Sequence, residues 1–190
     1  MQRSTFRHVM LTWQASATYV TSFVHGLEKL GHLRAVSARL DPLTLAMVKA
    51  PGAEAWWPGD RLIALLEATE AEVGVDAVKQ AGLRGSHDRM GPLVRPLASV
   101  LLSLSKNPMQ ALLSRLGNFV GAGIRGIDTR FVPHVGKPGG VVTFTFPQPV
   151  PPVMAAVWHG MFDVGFSLAK AGRIASEQVE PTVHRYEVTW

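Results

Sequence analysis

Residues 150–172, VPPVMAAVWHGMFDVGFSLAKAG, put apolar side chains on nearly every face of a helix. Met154, Val157, Met161, Val164 and Leu168 form one stripe at helical spacing. Trp158, Phe162 and Phe166 form a second, aromatic stripe at intervals of four. A helix that is apolar on several sides must be buried on several sides. This segment therefore marks the core, and any ligand cavity in a chain of 190 residues should border it. Its single polar edge is His159, Asp163, Ser167 and Lys170.

A chain of this length fits one domain, here 1–190. A hydrophobic share of 47% against 17% charged residues describes a filled globular core. Cysteine is absent, which excludes disulfides, thiol catalysis and cysteine-based zinc sites. The N-terminus has no continuous apolar stretch of the kind found in signal peptides. His159 and Asp163 interrupt the longest apolar run, so no membrane span is expected and the cytoplasm is the expected location. The net charge of +5 is uneven. Residues 54–76 are acidic, whereas residues 77–127 carry seven bases, from Lys79 to Arg125, against one acid, Asp88. The bases are scattered and lack interleaved aromatics between Lys79 and Arg115, so a solvated face is the better reading than nucleic-acid binding.

The pattern along the chain predicts an α+β fold: a helical N-terminal two thirds packed on a small antiparallel sheet, then a C-terminal strand-strand-helix-strand. Residues 1–14 read as a strand or arm and 15–120 as helical. Residues 121–190 read as a hairpin, the buried helix and a closing strand. Within the helical part, 15–30 places Tyr19, Val20, Phe23, Val24, Leu27 and Leu30 on one face, with Gly31 as its stop. Asp60 reads as an N-cap for 61–73. A short helix is expected over 75–82, a loop over 85–91, and helices over 92–105 and 109–120, the last opened by Asn107-Pro108. The runs 124–132 and 140–146 alternate like hairpin strands, and 182–190 alternates again.

Several local pieces are similar to an uncharacterised bacterial family that is abundant in myxobacteria. They are the pattern around 26–40, Trp57-Pro58 before a leucine-rich helix, the segment 112–119, Trp158-His159-Gly160-Met161-Phe162, and 185–190. The C-terminal strand-strand-helix-strand also resembles the ligand-binding domains of the NO-signalling and Golgi-transport superfamily. That group includes haem-based NO sensors, vinyl-reductase-type domains and an acyl-chain-holding tethering subunit. The resemblance implies an internal apolar cavity, homodimerisation, and sensing or carrying instead of catalysis. Haem sensors carry Tyr-x-Ser-x-Arg, and this chain has none. Its two tyrosines are Tyr19 and Tyr186. Haem is therefore disfavoured and no cofactor is expected, leaving a bound lipid, an acyl chain or another apolar molecule as the ligand class.

Site candidates follow from the same helix. Met154, Trp158, Met161, Phe162 and Phe166 are the expected ligand-binding residues, with His159 and Asp163 as a polar anchor. No catalytic residue and no metal ligand is expected. The seven histidines include no His-x-x-x-His with a nearby glutamate. The glycines at 121, 123 and 126 close a helix and enter a strand, the reverse of a nucleotide-binding turn. The expected function is a non-catalytic small-ligand-binding or sensory domain. The alternatives are a dimerisation scaffold without a small ligand and an enzyme using His159 and Asp163.

Overall fold

The computed structural model describes residues 13–89 and 104–190, and contains eight helices and seven strands among them. The expected arm at 1–14 lies outside the described residues except for Trp13 and Gln14. So does the expected helix at 92–105, except for Leu104 and Ser105, which form a turn. The observed architecture is α+β.

Helix α1 (Ala17–Lys29) starts where the Ser16 hydroxyl accepts the Tyr19 amide at 3.1 Å, an N-cap that satisfies one orphan donor. Helices α2 (Leu33–Ser37), α3 (Pro42–Lys49) and α4 (Gly59–Val73) follow. Asp60 falls in the first turn of α4, not at its cap, because the helix already begins at Gly59. Helix α5 (Val75–Arg89) takes in residues 85–89 of the segment expected to be a loop, whose last two residues lie outside the described ones. The reason is packing: α5 lies along α1, and Gly85 sits where a Cβ would come within 1.8 Å of the Ser22 carbonyl oxygen. The single helix expected over 109–120 is two, α6 (Pro108–Leu113) and α7 (Leu116–Gly123). Asn107 and Pro108 open α6 as expected. Ser114 at its end bonds back to the Gln110 carbonyl at 2.7 Å, a contact that bends helices.

Two antiparallel sheets occur among the described residues. The smaller one places β1 (Gln14–Ser16) between β2 (Trp56–Pro58) and β3 (Ile124–Arg125). The sequence pattern missed it because its strands are only two or three residues long. Arg125, one of the scattered bases, is engaged here. It donates to Gln14 at 2.7 Å and covers the Trp56 ring at 4.3 Å. The larger sheet has the order β4 (Asp128–Pro133), β5 (Gly140–Thr145), β7 (Val183–Thr189), β6 (Arg173–Val179). Strand β6 was not expected, so the C-terminal part is strand-strand-helix-strand-strand. It is an exposed edge strand whose sequence, RIASEQV, shows little apolar alternation.

Helix α8 (Met154–Ala169) joins the sheet to the helices. Pairing of Phe144 with His184 and Val142 with Tyr186 puts these four side chains on one buried face, and α8 lies against it. On its other side α8 meets α5, where a Cβ at Gly160 would stand 3.1 Å from the Lys79 carbonyl. No helix among the described residues is long and apolar enough to cross a membrane.

Candidate ligand-binding site

The two apolar stripes of α8 face different neighbours. The aromatic stripe turns to the sheet. Trp158 stacks on Phe144 with centroids 3.9 Å apart and planes 5° from parallel. Phe162 lies 6.3 Å from Phe144 and 5.1 Å from Tyr186. Met154 is fully buried in the same core. The aliphatic stripe, through Val157, Met161 and Val164, together with Trp158, borders a chamber of about 200 Å³. Tyr19 of α1, Gly82 of α5, Phe119, Val120 and Gly123 of α7, and Ile124 of β3 complete its walls.

Of the five expected ligand-binding residues, the structure thus brings Trp158 and Met161 to the chamber. Met154 and Phe162 pack in the core, and Phe166 lines a separate open groove. The residues that sequence reasoning did not select come mostly from distant helices. The spacing of Tyr19 places it on the apolar face of α1 without marking it as a chamber wall. The sequence marks Gly123 only as a helix end, and α7 does pass from Gly123 directly into β3.

Among the described residues, every side chain lining the chamber is apolar except those of Tyr19 and Trp158, which carry one polar atom each. Desolvation pushes the Tyr19 phenol above its ordinary range, so it stays protonated near neutrality. The Trp158 indole N–H is buried and meets no acceptor.

His159 and Asp163 lie on the opposite edge of α8. Each pairs with another element. His159 Nε2 lies 2.5 Å from Glu177 of β6, and the Lys79 ammonium of α5 donates to Asp163 at 2.8 Å. These half-exposed pairs tie α8 to its neighbours across the open groove, and such pairs contribute up to about 1 kcal/mol each. No cluster of three or more metal-binding side chains occurs among the described residues.

A second buried polar group stands under the sheet. His184 is fully buried beside the Phe146 ring, at 5.4 Å, and neither ring nitrogen has a hydrogen-bond partner. Burial pushes its pKa down from 6.5, and the Glu177 charge opposes this only in part. A base depressed in the fold takes its proton more tightly in the unfolded chain. Its contribution is therefore intact above pH 6.5 and is lost as the pH falls below that value. Urea unfolding midpoints should decline from pH 6.5 to 5, with a slope of up to about 1.4 kcal/mol per pH unit. His184→Leu should flatten that decline. An unchanged slope in the variant would assign the acid sensitivity to other groups.

Comparison with known proteins places the fold. No family model matches the chain, and no curated protein matches it, so the resemblance to a myxobacterial family finds no counterpart. Solved structures do match. The Fe(II) unliganded H-NOX protein from K. algicida shares the fold with a TM-score of 0.61 at 12% identity, over 92% of this chain and 95% of that one. An oxygen-binding H-NOX domain related to soluble guanylate cyclases matches with a TM-score of 0.54 at 11% identity, over 91% and 92%. An H-NOX structure solved to probe haem distortion matches at 0.56 and 11% identity, over the same shares. At such identities the likeness is one of fold, and it spans nearly the whole chain, not the C-terminal part alone. It corrects the expectation of no cofactor with haem disfavoured. A chain without Tyr-x-Ser-x-Arg nonetheless shares its fold with H-NOX domains, in whose family the function of haem distortion has been probed.

Proposed function

We propose that this chain is a non-catalytic, ligand-binding sensory domain, and that its ligand enters the chamber between α1, α5, α7 and α8. One observation carries the reading: an apolar chamber lies against the central helix, in a fold shared with H-NOX domains. The enzyme alternative loses its basis, because His159 and Asp163 are engaged with Glu177 and Lys79 on separate elements.

Haem can be measured against the described walls. Tyr19 and Met161 are of residue types that ligate haem iron elsewhere, whereas among the described residues no histidine and no charged side chain lines the chamber. Its volume of about 200 Å³ lies below the roughly 300–1,000 Å³ of pockets for drug-sized ligands. The described walls do not fit a porphyrin as they stand, and they would have to widen to take one. By contrast, an apolar cavity of about 150 Å³ already holds benzene.

The test is a thermal-shift panel of haemin, benzene and ethylbenzene, with absorbance spectra for the haem arm. At least one member is expected to stabilise the fold. At a hundredfold excess over Kd this amounts to about 2.7 kcal/mol, a Tm rise of about 5–10 °C. Gly82→Leu should abolish the shift while leaving the fold intact, because a Cβ at Gly82 meets nothing within 4 Å. No shift with any member, or an equal shift in Gly82→Leu, would overturn the reading.

A further inference from the structure

We propose that β6 and the open groove beside it form a docking site for an extended peptide segment of a partner protein, which adds to the four-stranded sheet as a further antiparallel strand. The groove shares no wall residue with the chamber, so the proposal does not depend on the chamber being a ligand site.

The first observation is a free strand edge. Strand β6 pairs with β7 on one side, and no described strand lies on the other. Glu180 and Val183 exchange both backbone hydrogen bonds, at 2.9 and 3.3 Å. Bonding alternates along an antiparallel pair, so Glu177 and Val179 aim their N–H and C=O groups away from β7. Such a row of donors and acceptors is complementary to another extended backbone. The second observation is that the sheet ends one strand short of its support. A groove of about 510 Å³ runs between β6 and the helices α5 and α8. Glu177 lies opposite the inward-facing Tyr186 and reaches His159 of α8, so this face of β6 looks onto the helices. A strand added outside β6 rests every second side chain on Phe166, Ile174 and the Lys79–Asp163 pair. The third observation is charge. Lys79 pairs with Asp163 and His159 with Glu177, whereas Arg173, at the start of β6, makes no ion pair with any described residue. Antiparallel addition brings the C-terminal end of the peptide to Arg173. The segment recognised therefore carries apolar side chains facing the groove and then an acidic one. A second copy of this chain fits less well, because two β6 strands paired about Glu177 set two carboxylates opposite each other.

Fluorescence polarisation on the whole protein, with the labelled peptide Thr-Val-Thr-Leu-Thr-Glu-Thr, tests this. In the proposed pairing its Val, Leu and Glu face the groove and turn their amides to β6. N-methylation of those three amides is expected to weaken binding at least tenfold. N-methylation of the three later threonine amides, which point away from β6, should leave affinity within threefold. Replacing the peptide's Glu by Lys should weaken binding at least fivefold. Val179→Pro removes an outward N–H at an edge where proline is tolerated, and should lower affinity at least tenfold while the circular dichroism stays unchanged. No saturable binding of the unmodified peptide would overturn the proposal, as would equal losses from the two methylation patterns. A dimer in sedimentation that Val179→Pro dissociates would also overturn it, by assigning the edge to a second copy.

Discussion

Trp158→Ala is expected to lower the stability of the fold by about 3–5 kcal/mol, as large aromatic truncations in packed cores do. The indole is stacked on Phe144 at 3.9 Å, lies 6.1 Å from Phe146, and is 1% exposed. Its removal separates α8 from β5 and merges the vacated space with the chamber beside it. Because a domain holds only about 5–15 kcal/mol in total, this one change threatens folding at body temperature. Urea denaturation would show a fall in midpoint, and thermal melts a drop of about 6–20 °C. Trp158→Phe should cost roughly half as much or less. It keeps the stack and removes the unpaired N–H, whose burial opposes folding. A loss below about 1 kcal/mol in Trp158→Ala would mean that the stack does not hold helix to sheet.

Gly26→Ala is the second large effect, although it adds only a methyl group. A Cβ at Gly26 would lie 2.0 Å from the Ala81 carbonyl oxygen, and the nearest three atoms are all backbone. No rotamer change can clear them, so α1 and α5 must separate along their whole contact. The expected cost is about 3 kcal/mol, at the upper end for overpacking, and it outweighs the gain of about 1 kcal/mol in helix propensity. Gly82→Ala on α5 is the matched control. It adds the same methyl group to the partner helix where nothing lies within 4 Å, and should stabilise by about 1 kcal/mol. Equal melting temperatures for the two variants would show that α1 and α5 tolerate a wider spacing.

Much of the core could be read directly from the residues. The apolar run near the C-terminus is a buried helix, and His159 and Asp163 of its polar edge line the open groove. The alternation of Val142, Phe144 and Phe146 places those side chains inward, as observed. The Asn107-Pro108 start is equally local, since a capping side chain and a proline act within one turn. The elements that escaped notice lack such local signals. Strand β6 is held by its pairing with β7, not by its own hydrophobic pattern. The three-stranded sheet joins residues as distant as Gln14 and Arg125. The extension of α5 past Gly82 depends on α1 lying close enough to need glycine at both 26 and 85.

The haem argument shows the same division. Absence of a short motif is a statement about a few side chains, whereas the shared fold is a statement about backbone arrangement over nine tenths of the chain. The two need not agree, because many side-chain sets satisfy one backbone.

For α8, composition and helical spacing determined that more than one face must be buried and that His159, Asp163, Ser167 and Lys170 would share an edge. They did not determine which apolar face meets the sheet and which borders open space. Both stripes satisfy the same period, and transfer from water rewards burial of either against any apolar neighbour. The tertiary structure settled it by shape. The flat faces of Trp158 and Phe144 stack, which turns the aliphatic side of α8 toward α1, α5 and α7. The chamber exists because side chains from five separate elements stop short of filling the space between them, a property of their joint packing that no single segment carries.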